Sequence, residues 1–352
     1  MLTEDAVRAL LAEVPYPGLK RDIVALGLVR SVSVRDDRVH VSLTLASPRE
    51  EVPEQLRETI RARLAGAGAI RSEVQILSPD RRLPALAHPA AGRDRVPRVK
   101  RVIAVGAGKG GVGKSTVAVN LALALAESGL RAGLLDADIY GPSVTMLLGL
   151  EDGARRVRMT EQRQILPLSA HGLAVVSFGF FLGAQSPAVW RGPMVGKAVK
   201  QFVRGVVWPD LDVLVIDLPP GTGDVPLSLT EAAVVDGVVV VTTPQRLAAE
   251  EAGKAVEMFR KLNAPVLGLV ENMSFAVCEC GRRSHPFGQG GGAALSRALG
   301  SPLLAQVPFD ESVVAGGDHG MPVLLDRPAG EVAAAFRDLG RAVRRALGEP
   351  AS

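Results

Sequence analysis

The chain has little cysteine, few aromatic residues and no long apolar run, and each shortage removes a class of protein. Two cysteines, Cys278 and Cys280, are all that 352 residues contain, so no disulfide framework holds the fold and a reducing compartment is expected. Aromatic residues are scarce, and none interleaves the basic residues that lie between Asp80 and Arg101, so the stacking platform of a single-strand nucleic-acid binder is missing. The most apolar uncharged window, Gly172 to Ala184, has 13 residues, short of the roughly 18 that a membrane span needs. It is expected to form a buried strand and its loop. The first residues, MLTEDAVRALLAEVPYP, are acidic where a signal peptide carries a basic start, which points to the cytoplasm.

Charge excess is small too. The pI of about 9.3 suggests a polyanion partner, yet the net charge is only +4. Arg81, Arg82, Arg93, Arg95, Arg98, Lys100 and Arg101 oppose Asp80 and Asp94 in one short stretch, which carries more than the whole excess. The basicity therefore belongs to a linker, solvated or docking a polyanion, and no nucleic-acid partner is expected.

That stretch also divides the chain. Ser78 to Pro97 contains four prolines and no sustained apolar period, as a linker does. Before it, Val32 and Val34 alternate with polar residues, as do Val39, Val41, Leu43 and Leu45 beyond Asp36-Asp37. This pattern predicts a hairpin with one apolar face. Helices are expected at Glu4 to Leu11 and Glu51 to Leu64, with a strand at Val74-Gln75-Ile76. After the linker, short β-branched runs alternate with amphipathic segments. The runs are Val102 to Val105, Ala132 to Leu135, Val213 to Ile216, Val238 to Val241 and Val266 to Val270, and the first helix is Val117 to Ala126. Such alternation predicts an α/β domain with a doubly wound, mainly parallel sheet. The expected organisation is a small α+β domain over 1–78, a Pro/Arg-rich linker over 79–98 and the α/β domain over 99–348.

Ligands of such sheets bind beyond the carboxyl ends of the strands. The first strand runs into Gly106-Ala107-Gly108-Lys109-Gly110-Gly111-Val112-Gly113-Lys114-Ser115-Thr116, which satisfies the phosphate-loop pattern G-x-x-x-x-G-K-[ST] in the required strand, loop and helix setting. The loop from Gly108 to Thr116 is expected to wrap ATP phosphates with backbone N–H groups, with Lys114 at the outer phosphates and the Ser115 hydroxyl on Mg2+. Two carboxylate motifs follow. Asp136 ends a strand about 22 residues after Lys114 and would orient the metal's water shell, while Asp138 could position or deprotonate the attacking water. Asp217 ends the next apolar strand and can hold the Mg2+ water shell, ahead of the glycine-containing Leu218 to Asp224 loop. Asp224 either belongs to that switch loop or caps the next helix. Asn272, and Pro308 and Asp310 of Pro308-Phe309-Asp310, lie where an adenine edge could be read or where turn chemistry is needed.

The two cysteines stand at i and i+2, and in an extended segment such side chains share one face. Collected in one loop, they suggest metal binding over two half-buried thiols or transient disulfide chemistry. A cubane iron-sulfur cluster or a tetrahedral zinc site wants about four ligands. One chain offers two thiolates, with His285 nearby; a symmetric dimer offers four.

The chain resembles the Mrp/ApbC-type iron-sulfur cluster carriers, P-loop ATPases of the ParA/MinD-like class preceded by a MIP18-like domain. The resemblance rests on GKGGVGKST (108 to 116), DADIYGPS (136 to 143), WRGPM (190 to 194), IDLPPGTGD (216 to 224), VTTPQ (241 to 245), ENMS (271 to 274), the cysteine pair, FGQGGG (287 to 292), VPFD (307 to 310) and GGDHGMP (316 to 322). It implies that Lys109, a second lysine within the phosphate loop, reaches the phosphates in the opposite subunit of a homodimer and neutralises charge that develops during transfer. It also implies slow ATP hydrolysis, a 4Fe-4S cluster on Cys278 and Cys280 of two subunits, and delivery to apo-proteins alongside cluster-assembly proteins. Three departures mark this sequence. Only Glu279 separates cysteines that family members usually space as C-x-x-C; Leu43 to Pro48 lacks the cysteine usual in the first domain; and Arg246 follows VTTPQ where an acidic residue is common. Two other readings remain, a positioning or partition ATPase whose amphipathic Glu331 to Leu347 segment meets a membrane or DNA, although packing on the core is that segment's expected use, and the same ATPase with structural zinc.

Overall fold

The computed structural model describes residues 2–17, 22–35, 38–45, 51–77, 94–181, 192–278 and 280–348. The Asp36-Asp37 turn, residues 79–93 of the linker, Trp190-Arg191 and Glu279 lie outside the described residues. The chain divides into two compact units, Met1–Arg82 and Leu83–Ser352.

The first unit is a three-stranded sheet with two helices. Val29–Arg35 pairs antiparallel with Arg38–Thr44, which pairs parallel with Arg71–Leu77. Helix Glu4–Leu11 begins at Thr3, whose side chain accepts from the Ala6 N–H, and buries Val7 and Leu11. With Leu56, Ile60 and Leu64 of helix Glu51–Gly66 and the strand residues Val39, Val41 and Leu43, they close an apolar core.

The second unit is a doubly wound sheet of eight strands, in the order Leu303–Gln306, Val266–Glu271, Gly237–Thr242, Val99–Ala107, Leu211–Asp217, Ala132–Asp136, Leu173–Ser177, Leu168–Ala170. All neighbours are parallel except the last pair, an antiparallel edge hairpin that the sequence pattern signalled only as one buried strand. Strands covered on both faces show the expected two-sided burial. Val102 and Ala104 enter one core with Phe202, Val256 and Phe259, while Ile103 and Val105 enter the other with Leu121, Phe336 and Leu339. Val238 and Val240 alternate with Val239 and Val241 in the same way.

Helix Glu331–Ala346 buries Val332, Phe336, Leu339 and Val343 against helix Lys114–Glu127, so its apolar stripe is spent on the core, the use expected for it over a membrane or DNA contact. Gly340 allows this approach, since a Cβ there would lie 3.1 Å from the Ala124 Cβ. The basic residues nearest the sheet keep exposed side chains and are paired there. Arg95 and Arg101 pair with Asp236, Arg98 with Asp210, and Lys100 with Asp212, so strand starts and their preceding loops neutralise them. Among the described residues no helix is long and apolar enough to cross a membrane.

Candidate functional site

The carboxyl ends of the central strands, Ala107, Asp136, Asp217, Thr242 and Glu271, share one edge of the sheet, and the sequence-predicted residues gather there. Steric demands shape the phosphate loop. A Cβ on Gly108 would sit 2.1 Å from the Glu251 carbonyl carbon, so only glycine lets the loop press against helix Arg246–Lys261. Gly113 has φ +78° and precedes helix Lys114–Glu127, which starts three residues earlier than the apolar pattern predicts. Lys114, Ser115 and Thr116 thus form its first turn. No side chain caps that end, which leaves its N–H groups and positive dipole directed at the loop's hollow. The Gly221 N–H donates to the Ala107 carbonyl at 2.8 Å and ties the Leu218 to Asp224 loop to the same strand.

Three carboxylates and one ammonium occupy the floor. The Lys114 Nζ lies 2.5 Å from Asp217 Oδ1, 3.6 Å from Asp138 Oδ2 and 3.2 Å from Ser115 Oγ. Asp217 is fully buried and its Oδ2 has no hydrogen-bond partner. Asp136, also fully buried, accepts from the Asp138 N–H (3.0 Å), the Val144 N–H (3.3 Å) and the Ser177 hydroxyl (2.8 Å). Burial, followed by the charge of Asp217, pushes the Asp136 carboxyl up to about 8 against those donors and Lys114. Burial raises Asp217 as well, with Lys114 opposing. Lys109 is half-buried at the mouth of a cavity of about 300 Å³ that Lys114, Ser115, Asp138 and Pro220 also line. Asp224 is the first residue of helix Asp224–Ala232, whose cap position is held by Gly223, so it makes no side-chain cap.

A second cavity of about 230 Å³ adjoins the first at Gly113, Thr116, Met146 and Leu147, and Asn272, Pro308 and Asp310 line it. The structure thus brings these three to the nucleotide side, but commits part of their polar capacity elsewhere. Asn272 Nδ2 donates to the Val112 carbonyl at 2.9 Å and so braces the phosphate loop. Asp310 Oδ1 accepts from the Ser312 N–H at 2.8 Å and caps helix Glu311–Asp318. A larger, mostly apolar cavity of about 930 Å³, between Leu130, Leu173, Trp208 and Leu324, lies at the opposite ends of the strands, away from these charges.

The cysteines sit on a short ribbon. Ala276–Val277 pairs antiparallel with Arg283–Ser284, and a turn between them is closed by Gly281 N–H to Cys278 carbonyl (2.8 Å) and Cys278 N–H to Arg282 carbonyl (3.1 Å). The cysteines therefore stand on a turn, which has Gly281 at φ +79°. Both cysteines are exposed, their Cα atoms are 5.3 Å apart, and their sulfurs are joined in a disulfide. His285 is tied to the ribbon's root, its Nδ1 being 3.2 Å from the Ser274 carbonyl oxygen. Among the described residues no group of three His, Cys, Asp or Glu side chains is placed to hold a metal ion. Ser177 and Glu271, both buried and hydrogen-bonded at this end of the sheet, escaped sequence reasoning. A charged residue closing the apolar run Val266 to Val270 was the available signal for Glu271.

Residues 98–344 match the family described as NUBPL iron-transfer P-loop NTPase, and residues 4–76 match the family described as iron-sulfur cluster assembly protein. The chain belongs to the iron-sulfur cluster carrier family. It is 44% identical over 340 residues to the iron-sulfur cluster carrier protein of Deinococcus radiodurans, covering 96% of this chain and 93% of that one. It is 41% identical over 357 residues to that of Escherichia coli K12, covering 97% and 93%. Among solved structures, the nucleotide-binding protein of Archaeoglobus fulgidus in complex with ADP, with cobalt found, is 36% identical. It covers 69% of this chain and 94% of its own length, with a TM-score of 0.59. The cell division ATPase MinD of Pyrococcus furiosus, at 23% identity and TM-score 0.50 over 70% of this chain and 99% of its own, shares the fold. As an iron-sulfur cluster carrier with a P-loop NTPase domain, the chain combines phosphate-loop geometry with a two-cysteine ribbon.

Proposed function

We propose that the protein is a cytoplasmic, homodimeric carrier that binds and slowly hydrolyses ATP and holds a 4Fe-4S cluster on Cys278 and Cys280 of two subunits before passing it to apo-proteins. The observation that carries this reading is the pairing of a phosphate loop with an exposed ribbon that offers two sulfur ligands and no third. A cluster wants about four, so two chains complete the set. The joined sulfurs must first be reduced by two electrons, because thiolates are the ligands.

The nucleotide chemistry follows from the floor of the cleft. Backbone N–H groups of the Gly108 to Thr116 segment and the uncapped helix start suit phosphate oxygens. The orphaned Asp217 Oδ2 and the Ser115 hydroxyl fit a hydrated Mg2+, which supplies charge neutralisation between the outer phosphates when bound. Lys114 now serves as the cation among Asp138 and Asp217, and it turns to the phosphates when nucleotide arrives. Asp136 would orient the water shell of that metal, Asp138 would position the attacking water, and Lys109 would neutralise charge developing on the phosphates of the opposite subunit. Asn272, Pro308 and Asp310 wall the space suited to the base.

Anaerobic reconstitution with a dithiol reductant tests the assignment. A brown dimer with about one 4Fe-4S cluster is expected. Equal iron in a Cys278→Ala, Cys280→Ala double variant overturns it, and zinc in stoichiometric amount after anaerobic purification replaces the cluster with a structural metal.

A further inference from the structure

Between the nucleotide cleft and the cysteine ribbon lies a short root, and it begins with a carboxylate that is 1% exposed. Glu271 closes the strand Val266–Glu271. Its Oε1 accepts from the Ser274 hydroxyl at 2.6 Å and from Gln306 Nε2 at 2.8 Å, and its Oε2 accepts from the Gly292 N–H at 2.5 Å. Four pieces of chain meet on this one side chain: its own strand, the ribbon's root, the end of strand Leu303–Gln306, and the start of helix Gly291–Leu299.

The first two residues of that helix are glycines in tight places. A Cβ on Gly292 would lie 2.7 Å from Glu271 Oε2, and one on Gly291 would lie 2.2 Å from the Pro244 carbonyl oxygen. The helix's positive end favours an anion there. A buried charge is a poor source of stability compared with an apolar side chain of the same volume. What the carboxylate provides is a fixed arrangement of three donors.

Both neighbours of this hub reach the nucleotide side. Asn272, the next residue, braces the phosphate loop through the Val112 carbonyl and lines the base cavity. The Phe275 carbonyl accepts from the Phe309 N–H at 2.7 Å, and Phe309 lines the same cavity. On the other side, Arg283 of the ribbon lies over the Phe275 ring at 4.2 Å, and Phe287 meets Phe309 edge-on at 5.5 Å. The walls of the base cavity and the stem of the ribbon are therefore one packed unit, held at its root by Glu271.

We propose that Glu271 is a positioning residue that fixes the cysteine ribbon against the nucleotide cleft, so that cluster release responds to nucleotide. It touches neither nucleotide nor cysteine; it acts through Ser274, Gln306 and Gly292. The inference rests on the carrier reading above.

The test uses the full chain, reconstituted, with cluster loss to an iron chelator followed by absorbance with and without Mg-ATP. Glu271→Gln keeps the size and removes one acceptor from the three donors. Gln306→Ala removes an exposed donor without altering a buried charge. The expected result is a wild-type release rate that changes about fivefold or more with ATP, a change that falls below about twofold in Glu271→Gln and is reduced in Gln306→Ala. ATP affinity and iron per dimer stay at wild-type levels in both. A wild-type response in Glu271→Gln overturns the proposal, as does loss of ATP affinity and iron together with the response in both variants. If Glu271→Gln does not fold, an undiminished response in Gln306→Ala overturns it. A wild-type protein that holds the cluster but ignores nucleotide refutes this inference alone; one that holds no cluster refutes the carrier reading beneath it.

Discussion

Substituting Lys114 by Met strands the carboxylates on the cleft floor while keeping the apolar stem. The Lys114 side chain is 7% exposed and that of Asp217 is 0% exposed, so solvent screening does little for the pair. Removing one partner of such a pair costs about 3–5 kcal/mol, because the other charge stays buried without a counterion. At roughly 2–4 °C per kcal/mol for a domain of this size, the unfolding midpoint of the nucleotide-free protein should fall by about 6–20 °C. The loss should depend on pH with a definite sign. A carboxyl raised in the folded chain, as Asp136 is from 3.8 to about 8, keeps a proton that the unfolded chain releases. Its contribution is complete below the unfolded value and is lost as pH climbs through the folded one. Without the ammonium, which opposes the upward shift of both Asp136 and Asp217, the shifts grow. The penalty of Lys114→Met should therefore be larger near about pH 8.5 than near about pH 6, where the stranded carboxyls take up protons. Thermal and urea unfolding followed by far-ultraviolet circular dichroism at both pH values measures it. Adding Asp217→Asn should recover up to about 3 kcal/mol as a coupling energy. Lys114→Met as stable as the parent, or a penalty unchanged with pH, refutes the reasoning.

Two further substitutions probe the loop. Lys109→Ala should leave ATP affinity intact and abolish turnover in a phosphate-release assay, and undiminished turnover rejects its role across the dimer. Gly108→Ala should push the loop off helix Arg246–Lys261, because the new methyl meets the Glu251 backbone at 2.1 Å; a loss of about 1–3 kcal/mol and weaker ATP binding in calorimetry are expected, with normal binding as the contrary result.

The parts legible in the sequence were those set by local chemistry. The phosphate loop could be read because glycine spacing and a following helix are local requirements, and the central strands because burial on both faces leaves unbroken β-branched runs such as Val238 to Val241. Less legible were features set by distant partners. Strand Leu168–Ala170 is a short edge with no run of its own. The place of Asn272 after a strand was visible, but its bond to the Val112 carbonyl, 160 residues away, was not. The pairing of Arg95 and Arg98, just before strand Val99–Ala107, was not legible because their partners Asp236 and Asp210 come more than a hundred residues later. Arg246, whose place after VTTPQ had no reading, is an exposed first residue of its helix and pairs with Glu250 one turn on.

On the proposed reading, the turn that carries Cys278 and Cys280 gives each chain half of a ligand set, with a consequence in mass action. In the carrier proposed above, cargo and dimer share one equilibrium: dilution loosens both, and each protomer that departs leaves the other with too few ligands. Retention then depends on how much of the protein the cell makes. At high abundance the carrier stores clusters, and near its dissociation constant it spills them, so expression level alone can turn a reservoir into a relay.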